Sequence, residues 1–333
     1  MRPRRSGISS VAIGGLAREA CAAGLASRVL PSPAVKLGLH IAGTSWRGGP
    51  SALRGTLATV VETAEEAGFD MIDVADHLWQ SPFLGGELEP MIEAYSTLGF
   101  IAAHTTHVRL MALATCAPYR SDGLLAKIVT SLDVLSGGRM VLGIGAGDYE
   151  EEARGLGLAY PPLKERFEIL DETIQACLAM WEGEHGSEQP LEGTHVRMGR
   201  ALNVPQNLQR PHPPILIAGA GERRTLPLVA RYGDACNIAP SPDLPRKLEV
   251  LKRLCAEEDR DFDAIEKTVP FGFDVGEHGE KVDELIGQLR WLAGMGAETV
   301  LGWVVGVDRI APLEIMAREV IPAARELEAG RTG

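Results

Sequence analysis

A single (β/α)8 barrel is the fold class this sequence predicts, and three observations predict it. From Val35 onward, short apolar runs alternate with longer stretches of helical spacing, as the βαβ units of a parallel sheet do. Eight such runs can be counted, each followed by a helical stretch, which is the barrel number. The chain has 333 residues, a length at which α/β barrels commonly form one domain. A doubly wound open sheet is the competing architecture.

The elements follow in order. Val35–Ile41 is the expected first strand, and Thr56–Ala67 has helical spacing and stops at Gly68. Met71–Val74 is the second strand, with a helix from Glu93 to Ala103. Val108–Ala114 is the third strand, and the helix Leu124–Leu135 is closed by Gly137-Gly138, since glycine accepts positive φ. Met140–Ile144 is the fourth strand, and Leu163–Trp181 a long amphipathic helix. Between Gly183 and Pro214 the chain is polar and rich in Gly and Pro. Strand–helix alternation resumes directly afterwards, so this stretch reads as a loop excursion and not as a domain boundary. Ile215–Ala218, Ala235–Ile238, Val269–Phe273 and Thr299–Val304 are the remaining strands. Helical stretches at Thr225–Tyr232, Leu244–Glu257 and Val282–Ala293 separate them, and Leu313–Glu328 is a last helix. The expected organisation is thus an N-terminal extension, residues 1–34, poorly ordered, and a barrel over 35–333.

Composition narrows the partners. The 45 acidic residues exceed the 33 Lys and Arg and give a formal net charge of −12, which disfavours nucleic acid and anionic lipid. No apolar stretch reaches the roughly 18 residues of a membrane helix. Arg4-Arg5 before a small-residue run faintly resembles an export signal, but the run is short and stopped by Arg18-Glu19. The five cysteines (Cys21, Cys116, Cys177, Cys236 and Cys255) lack zinc or redox spacing and fit reduced packing thiols in a cytosol. The eight histidines are scattered, so no metal site is expected. The expected location is cytoplasmic and the expected partner a small molecule.

In an α/β barrel the chemistry lies where the strands end. The second strand ends in Asp76-His77-Leu78-Trp79: an acceptor, a proton donor and an aromatic wall for a substrate pocket. A helix-capping Asp and a satisfied semi-buried His are the plainer alternative. The third ends in Leu113-Ala114-Thr115-Cys116, where small residues let a flat ligand approach the backbone. The fourth ends in Gly145-Ala146-Gly147-Asp148, whose glycines remove Cβ atoms and expose N–H groups. This is not the dinucleotide fingerprint, because Asp148 stands where its last glycine belongs. The fifth ends in Ala218-Gly219-Ala220-Gly221 before a helix start, an arrangement suited to phosphate or to an ordinary turn, with Arg223 and Arg224 adding positive charge.

These stretches resemble the bacterial luciferase-like monooxygenase superfamily, especially its F420-dependent branch. The likeness rests on Leu124-Leu125-Ala126-Lys127, on Thr130-Ser131-Leu132-Asp133-Val134-Leu135-Ser136-Gly137-Gly138-Arg139, and on the Leu142–Gly147 run that follows. Ala75-Asp76-His77-Leu78, Trp181-Glu182-Gly183-Glu184 and Gln209-Arg210-Pro211-His212-Pro213-Pro214-Ile215 add to it. The resemblance implies a barrel with an insertion after the fourth βα unit, a homodimer, and hydride transfer between deazaflavin coenzyme F420 and a small organic substrate. It implies a non-prolyl cis peptide at Leu113-Ala114 behind the ring, and Asp76 against the ring. It also implies cofactor-binding backbone at Gly145–Gly147 and Ala218–Gly221. His77 matches a family histidine at the reacting carbon, Trp79 matches a tryptophan only approximately, and Asp148 falls where a glutamate stands. His77 and Asp148 are thus the expected catalytic acid or base. An FMN-dependent monooxygenase and a non-catalytic cofactor carrier are the alternatives.

Overall fold

The structure, a computed structural model, describes residues 34–330. The expected extension at 1–34, with Arg4-Arg5 and Cys21, lies outside the described residues except for Ala34, which bridges to Glu328.

Eight parallel strands close into a barrel: β1 (Lys36–Ile41), β2 (Met71–Val74), β3 (Arg109–Ala112), β4 (Met140–Gly145), β5 (Ile215–Ala218), β6 (Ala235–Asn237), β7 (Glu266–Phe273) and β8 (Thr299–Val304). Each pairs with its sequence neighbour, and β8 returns to β1 with Lys36 opposite Thr299, so the sheet has no open edge. Around it run α1 (Gly49–Ala67), α2 (Ala94–His104), α3 (Asp122–Ser136), α4 (Glu150–Gly155), α5 (Leu163–Trp181), α6 (Thr225–Tyr232), α7 (Leu244–Glu257) and α8 (Val282–Gly294). A last helical run, Ala311–Arg325, contains a π turn at Met316–Val320.

Local sequence explains the helix ends. Helix α1 buries Leu57, Val60, Val61 and Ala64, the i, i+3, i+4, i+7 stripe, and stops where Gly68 takes φ +92° and its N–H returns to the Ala64 carbonyl. Gly137 ends α3 in the same way, at φ +76°. In the excursion between α5 and β5, Leu191–Glu192 and Arg197–Met198 form a two-stranded antiparallel ribbon.

The charged residues of the Lys127–Arg139 stretch have structural work. The carboxylate of Asp133 accepts the Leu208 and Gln209 N–H groups at 2.7 and 3.1 Å, and Lys127 donates to Asn203 Oδ1 and the Val204 carbonyl. Buried Arg139 donates to the carbonyls of Ala102, Thr105, Val108 and Ser136. These side chains fasten the returning excursion and the end of α2 to the barrel.

Two apolar cores result. The larger fills the layer between strands and helices. The smaller is a plug inside the barrel, made of Met71, Met111, Val141, Leu216, Ala235 and Leu301 from six different strands. Where the strands begin, the interior is closed by charge. Arg109 of β3 donates both Nη groups to Glu266 of β7 at 2.8 and 2.9 Å, and Thr299 donates to the same carboxylate.

Burial opposes ionisation of Glu266, but the Arg109 guanidinium outweighs it and holds the carboxyl pKa down to about 2. A depressed folded-state pKa contributes stability above the unfolded value and loses it as pH falls towards the folded one. The contribution, on the order of 3 kcal/mol, is therefore present above about pH 4.5 and gone near pH 2. Urea unfolding of the wild type should weaken over that window, and Glu266→Gln should be less stable at pH 7 with a flatter slope below pH 4.5. Equal slopes would show that this ion pair does not govern the acid limit.

Candidate active site

The strand ends surround a cavity of about 680 Å³ above the plug. Its floor is flat because the residues there barely have side chains. A Cβ placed on Gly145 would lie 3.8 Å from Ala114 Cβ and 3.9 Å from Ala218 Cβ, so three neighbouring strands present methyl-sized surfaces side by side. The strand expected to run to Ala114 in fact stops at Ala112 and resumes as Thr115–Cys116, paired with Ile144 and Gly145. Between the two pieces lies the cis peptide Leu113–Ala114, where the resemblance places it. Leu113 and Ala218 rest on the plug.

The glycine-rich end of β4 is held from behind. Arg166 of α5, largely buried and stacked on the Tyr160 ring at 4.0 Å, donates to the carbonyls of Ala146, Gly147 and Pro161. Gly147 is needed as glycine: φ is +78°, and a Cβ would stand 2.3 Å from Cys116 Sγ. Burial, with the Asp76 charge, pushes the Cys116 thiol up to about 12, so it stays protonated and apolar.

Ten of the predicted site residues line the cavity: Asp76, His77, Leu113, Ala114, Gly145, Ala146, Gly147, Asp148, Ala218 and Gly219. Four do not. Thr115 is fully buried and bonds Tyr95 Oη at 2.7 Å. Ala220 and Gly221 lie further out: the first offers its carbonyl to Lys247 at 3.0 Å, the second to the Leu226 N–H that opens α6. Thr225, first residue of α6, reaches the cavity instead. The Trp79 indole lies against Gly155 of α4, where a Cβ would come within 2.1 Å of the ring, and is not among the residues lining the cavity.

Asp76 also differs from expectation. Arg120 grips both carboxylate oxygens at 2.7 Å, and the Cys116 N–H adds a bond at 3.1 Å. Asp76 thus meets the cavity as half of a neutralised, bidentate ion pair. Asp148 is exposed at the rim and makes no side-chain hydrogen bond among the described residues.

The decisive group beside His77 is Glu152, which sequence reading misses. Its carboxylate, fully buried, accepts the Leu78 and Trp79 N–H groups at 2.6 and 2.7 Å and the Tyr119 hydroxyl at 2.9 Å, with His77 Nδ1 3.5 Å away. With three donors and an imidazole around it, Glu152 stays ionised, and its pKa is lowered against the cost of burial. The His77 pKa is raised, first by Glu152, against burial, then by the charges of Asp148 and Asp76. In the sequence Glu150-Glu151-Glu152 reads as one solvated run, and only the turn of α4 selects the third.

Among the described residues no group of three or more His, Cys, Asp or Glu is placed to hold a metal ion, and no helix is long and apolar enough to cross a membrane.

With fold and site in place, comparison with known proteins identifies the lineage. The chain belongs to the luciferase-like monooxygenase family, whose profile matches residues 39–331. An F420-dependent glucose-6-phosphate dehydrogenase from Nakamurella multipartita is 32% identical over 188 residues, 56% of this chain and 51% of that protein. The chain spans about half the length of the curated relatives it matches. Among solved structures, a monooxygenase from Streptomyces bottropensis gives a TM-score of 0.73 at 18% identity, covering 86% of this chain and 99% of its own. An F420-dependent secondary alcohol dehydrogenase, in complex with an F420–acetone adduct, gives 0.73 at 16%, covering 88% and 100%. At such identities the structural likeness carries the fold alone.

Replacing Glu152 by Gln removes the charge that contributes most to raising the His77 pKa. Its NMR titration midpoint should fall relative to the wild type, and an unchanged midpoint would mean that Glu152 does not set the state of His77.

Proposed function

We propose that this protein is an oxidoreductase that binds the deazaflavin coenzyme F420 at the barrel mouth and transfers hydride between it and a small organic substrate. The observation that carries this reading is the flat floor of Ala114, Gly145 and Ala218 with His77 beside it. It gives a planar ring a surface to lie on and a proton donor at its edge. The stretch shared with F420-dependent glucose-6-phosphate dehydrogenases supports the same cofactor.

In this reading the Leu113–Ala114 peptide, Gly145–Gly147 and Ala218–Gly219 hold the ring and its side chain. Thr225 and the open start of α6 receive an anionic group, as helix N-termini do. When bound, F420 supplies a two-electron hydride donor or acceptor. The protein fixes the geometry and handles protons. His77, its pKa raised by Glu152, supplies a proton near the ring, and Asp148 adds a carboxylate at the rim. Tyr119 keeps Glu152 in place.

FMN is the second cofactor reading, in keeping with the family profile of luciferase-like monooxygenases. A carrier without chemistry is the third. Fluorescence titration with oxidised deazaflavin and, separately, FMN discriminates the first two. Deazaflavin bound far more tightly than FMN is the expected result, and the reverse would move the protein to flavin chemistry. Reduction or oxidation of bound cofactor by any substrate excludes the carrier. His77→Asn with Asp148→Asn should slow single-turnover hydride transfer by about 100-fold or more.

The floor itself can be tested. A methyl at position 145 meets its neighbours only at ordinary contact distance, so Gly145→Ala should fold with an unchanged urea midpoint. Overfilling a packed slot costs about 1–3 kcal/mol, so its deazaflavin Kd should rise about 5- to 100-fold. Unaltered affinity would place the ring elsewhere.

A further inference from the structure

The cavity has a neighbour. A second chamber of about 210 Å³ adjoins it, and the two share His40, Ala42, Leu84 and Trp303 in their walls. The smaller one is lined chiefly by apolar surface, including Ile41, Trp46, Val304 and Val307. Its amide side chain, Gln80, is already engaged: Nε2 donates to the Ala42 carbonyl and Oε1 accepts the Ser81 N–H. Among the described residues no Lys or Arg lines either space.

His40 stands where the two spaces meet, on β1, with Asp73 directly opposite on β2. Its Nδ1 is bonded to Asp73 Oδ1, and its Nε2 has no hydrogen-bond partner among the described residues. Asp73 is wholly buried, and its Oδ2 has no partner. This is the opposite of Glu152, whose oxygens are fully subscribed. A carboxylate whose sole partner is one imidazole fixes the tautomer and leaves the far nitrogen free to take and return a proton.

Resting on the proposed hydride-transfer reading, the structure assigns the smaller chamber as the subsite for an uncharged alcohol, or its carbonyl counterpart, with an apolar substituent, and His40, positioned by Asp73, as the group that exchanges its proton. In oxidation the alcohol gives its O–H proton to His40 Nε2 and its carbinol hydrogen, with both bonding electrons, to the deazaflavin, and becomes the carbonyl. Reduction returns both. A sugar phosphate, the substrate class in the name of the dehydrogenase relatives, finds no Lys or Arg among the described residues of the smaller chamber to offset its charge.

The test uses the full chain. Without cofactor, NMR of labelled histidines reads the His40 tautomer and its response to cyclohexanol and to glucose 6-phosphate. The proton should sit on Nδ1 in the wild type and shift towards Nε2 in Asp73→Asn. Cyclohexanol should move the His40 signal saturably, and glucose 6-phosphate should not. With deazaflavin bound, His40→Gln and Asp73→Asn should each lower kcat for cyclohexanol about 100-fold or more. Deazaflavin Kd should hold within about twofold. Should Asp73→Asn fail to fold, the wild type and His40→Gln decide alone. A His40 signal that ignores cyclohexanol, or His40→Gln with wild-type kcat, overturns the assignment. If deazaflavin fails to bind while His40 still answers to cyclohexanol, the cofactor reading falls and the subsite stands. The reverse pattern removes the subsite and leaves the cofactor.

Discussion

Closing eight parallel strands leaves an interior that side chains must fill, and the height to which they fill it decides whether there is a site at all. Here the filling stops abruptly. Met111 is followed on the inner face by Leu113 and the small Ala114, Leu216 by Ala218, and Val141 by Gly143 and then Gly145. Gly143 is obligatory in its own right, since a Cβ would meet the Ala112 carbonyl at 2.2 Å and Met111 at 2.8 Å. The same strands that are thick at the waist are thin at the mouth. Without the plug the floor would have nothing to rest on, and without the thinning there would be no slot.

Charge is distributed by the same logic. At the closed end Arg109 and Glu266 cancel each other across the barrel. At the open end Asp76 is neutralised by Arg120, while Glu152 and His77 form a loose, polarised pair. Of the buried acids here, Asp73 has an oxygen to spare. Three buried acids near the strand ends thus have three different sets of partners: a guanidinium and an amide for Asp76, two amides, a hydroxyl and a nearby imidazole for Glu152, and one imidazole for Asp73.

Much of the fold was legible, because periodicity and punctuation are local. The strand and helix order, and the stops at Gly68 and Gly137, follow from neighbouring residues. Errors arise where distant contact decides. Val108–Ala114 looks like one strand, yet it breaks after Ala112. The seventh strand begins at Glu266, ahead of the expected Val269, because Glu266 pairs across to Ala235. Ten of the expected residues line the cavity, as their place after the strands implies. Glu152, Arg120, Arg166 and the His40–Asp73 pair were not, because their meaning lies in partners tens of residues away. The place of Trp79 is hidden for the same reason: an indole beside a strand mouth gives no hint of the glycine on α4 that it packs against.

Glu152 also has a consequence for lineage. One carboxylate joins two backbone amides of the loop after β2 to a hydroxyl from the end of β3 and an imidazole in the wall. A change at this position orphans all of these groups together. Positions 77, 119 and 152 are thus tied through one side chain, and an inherited change at 152 would be felt at the other two.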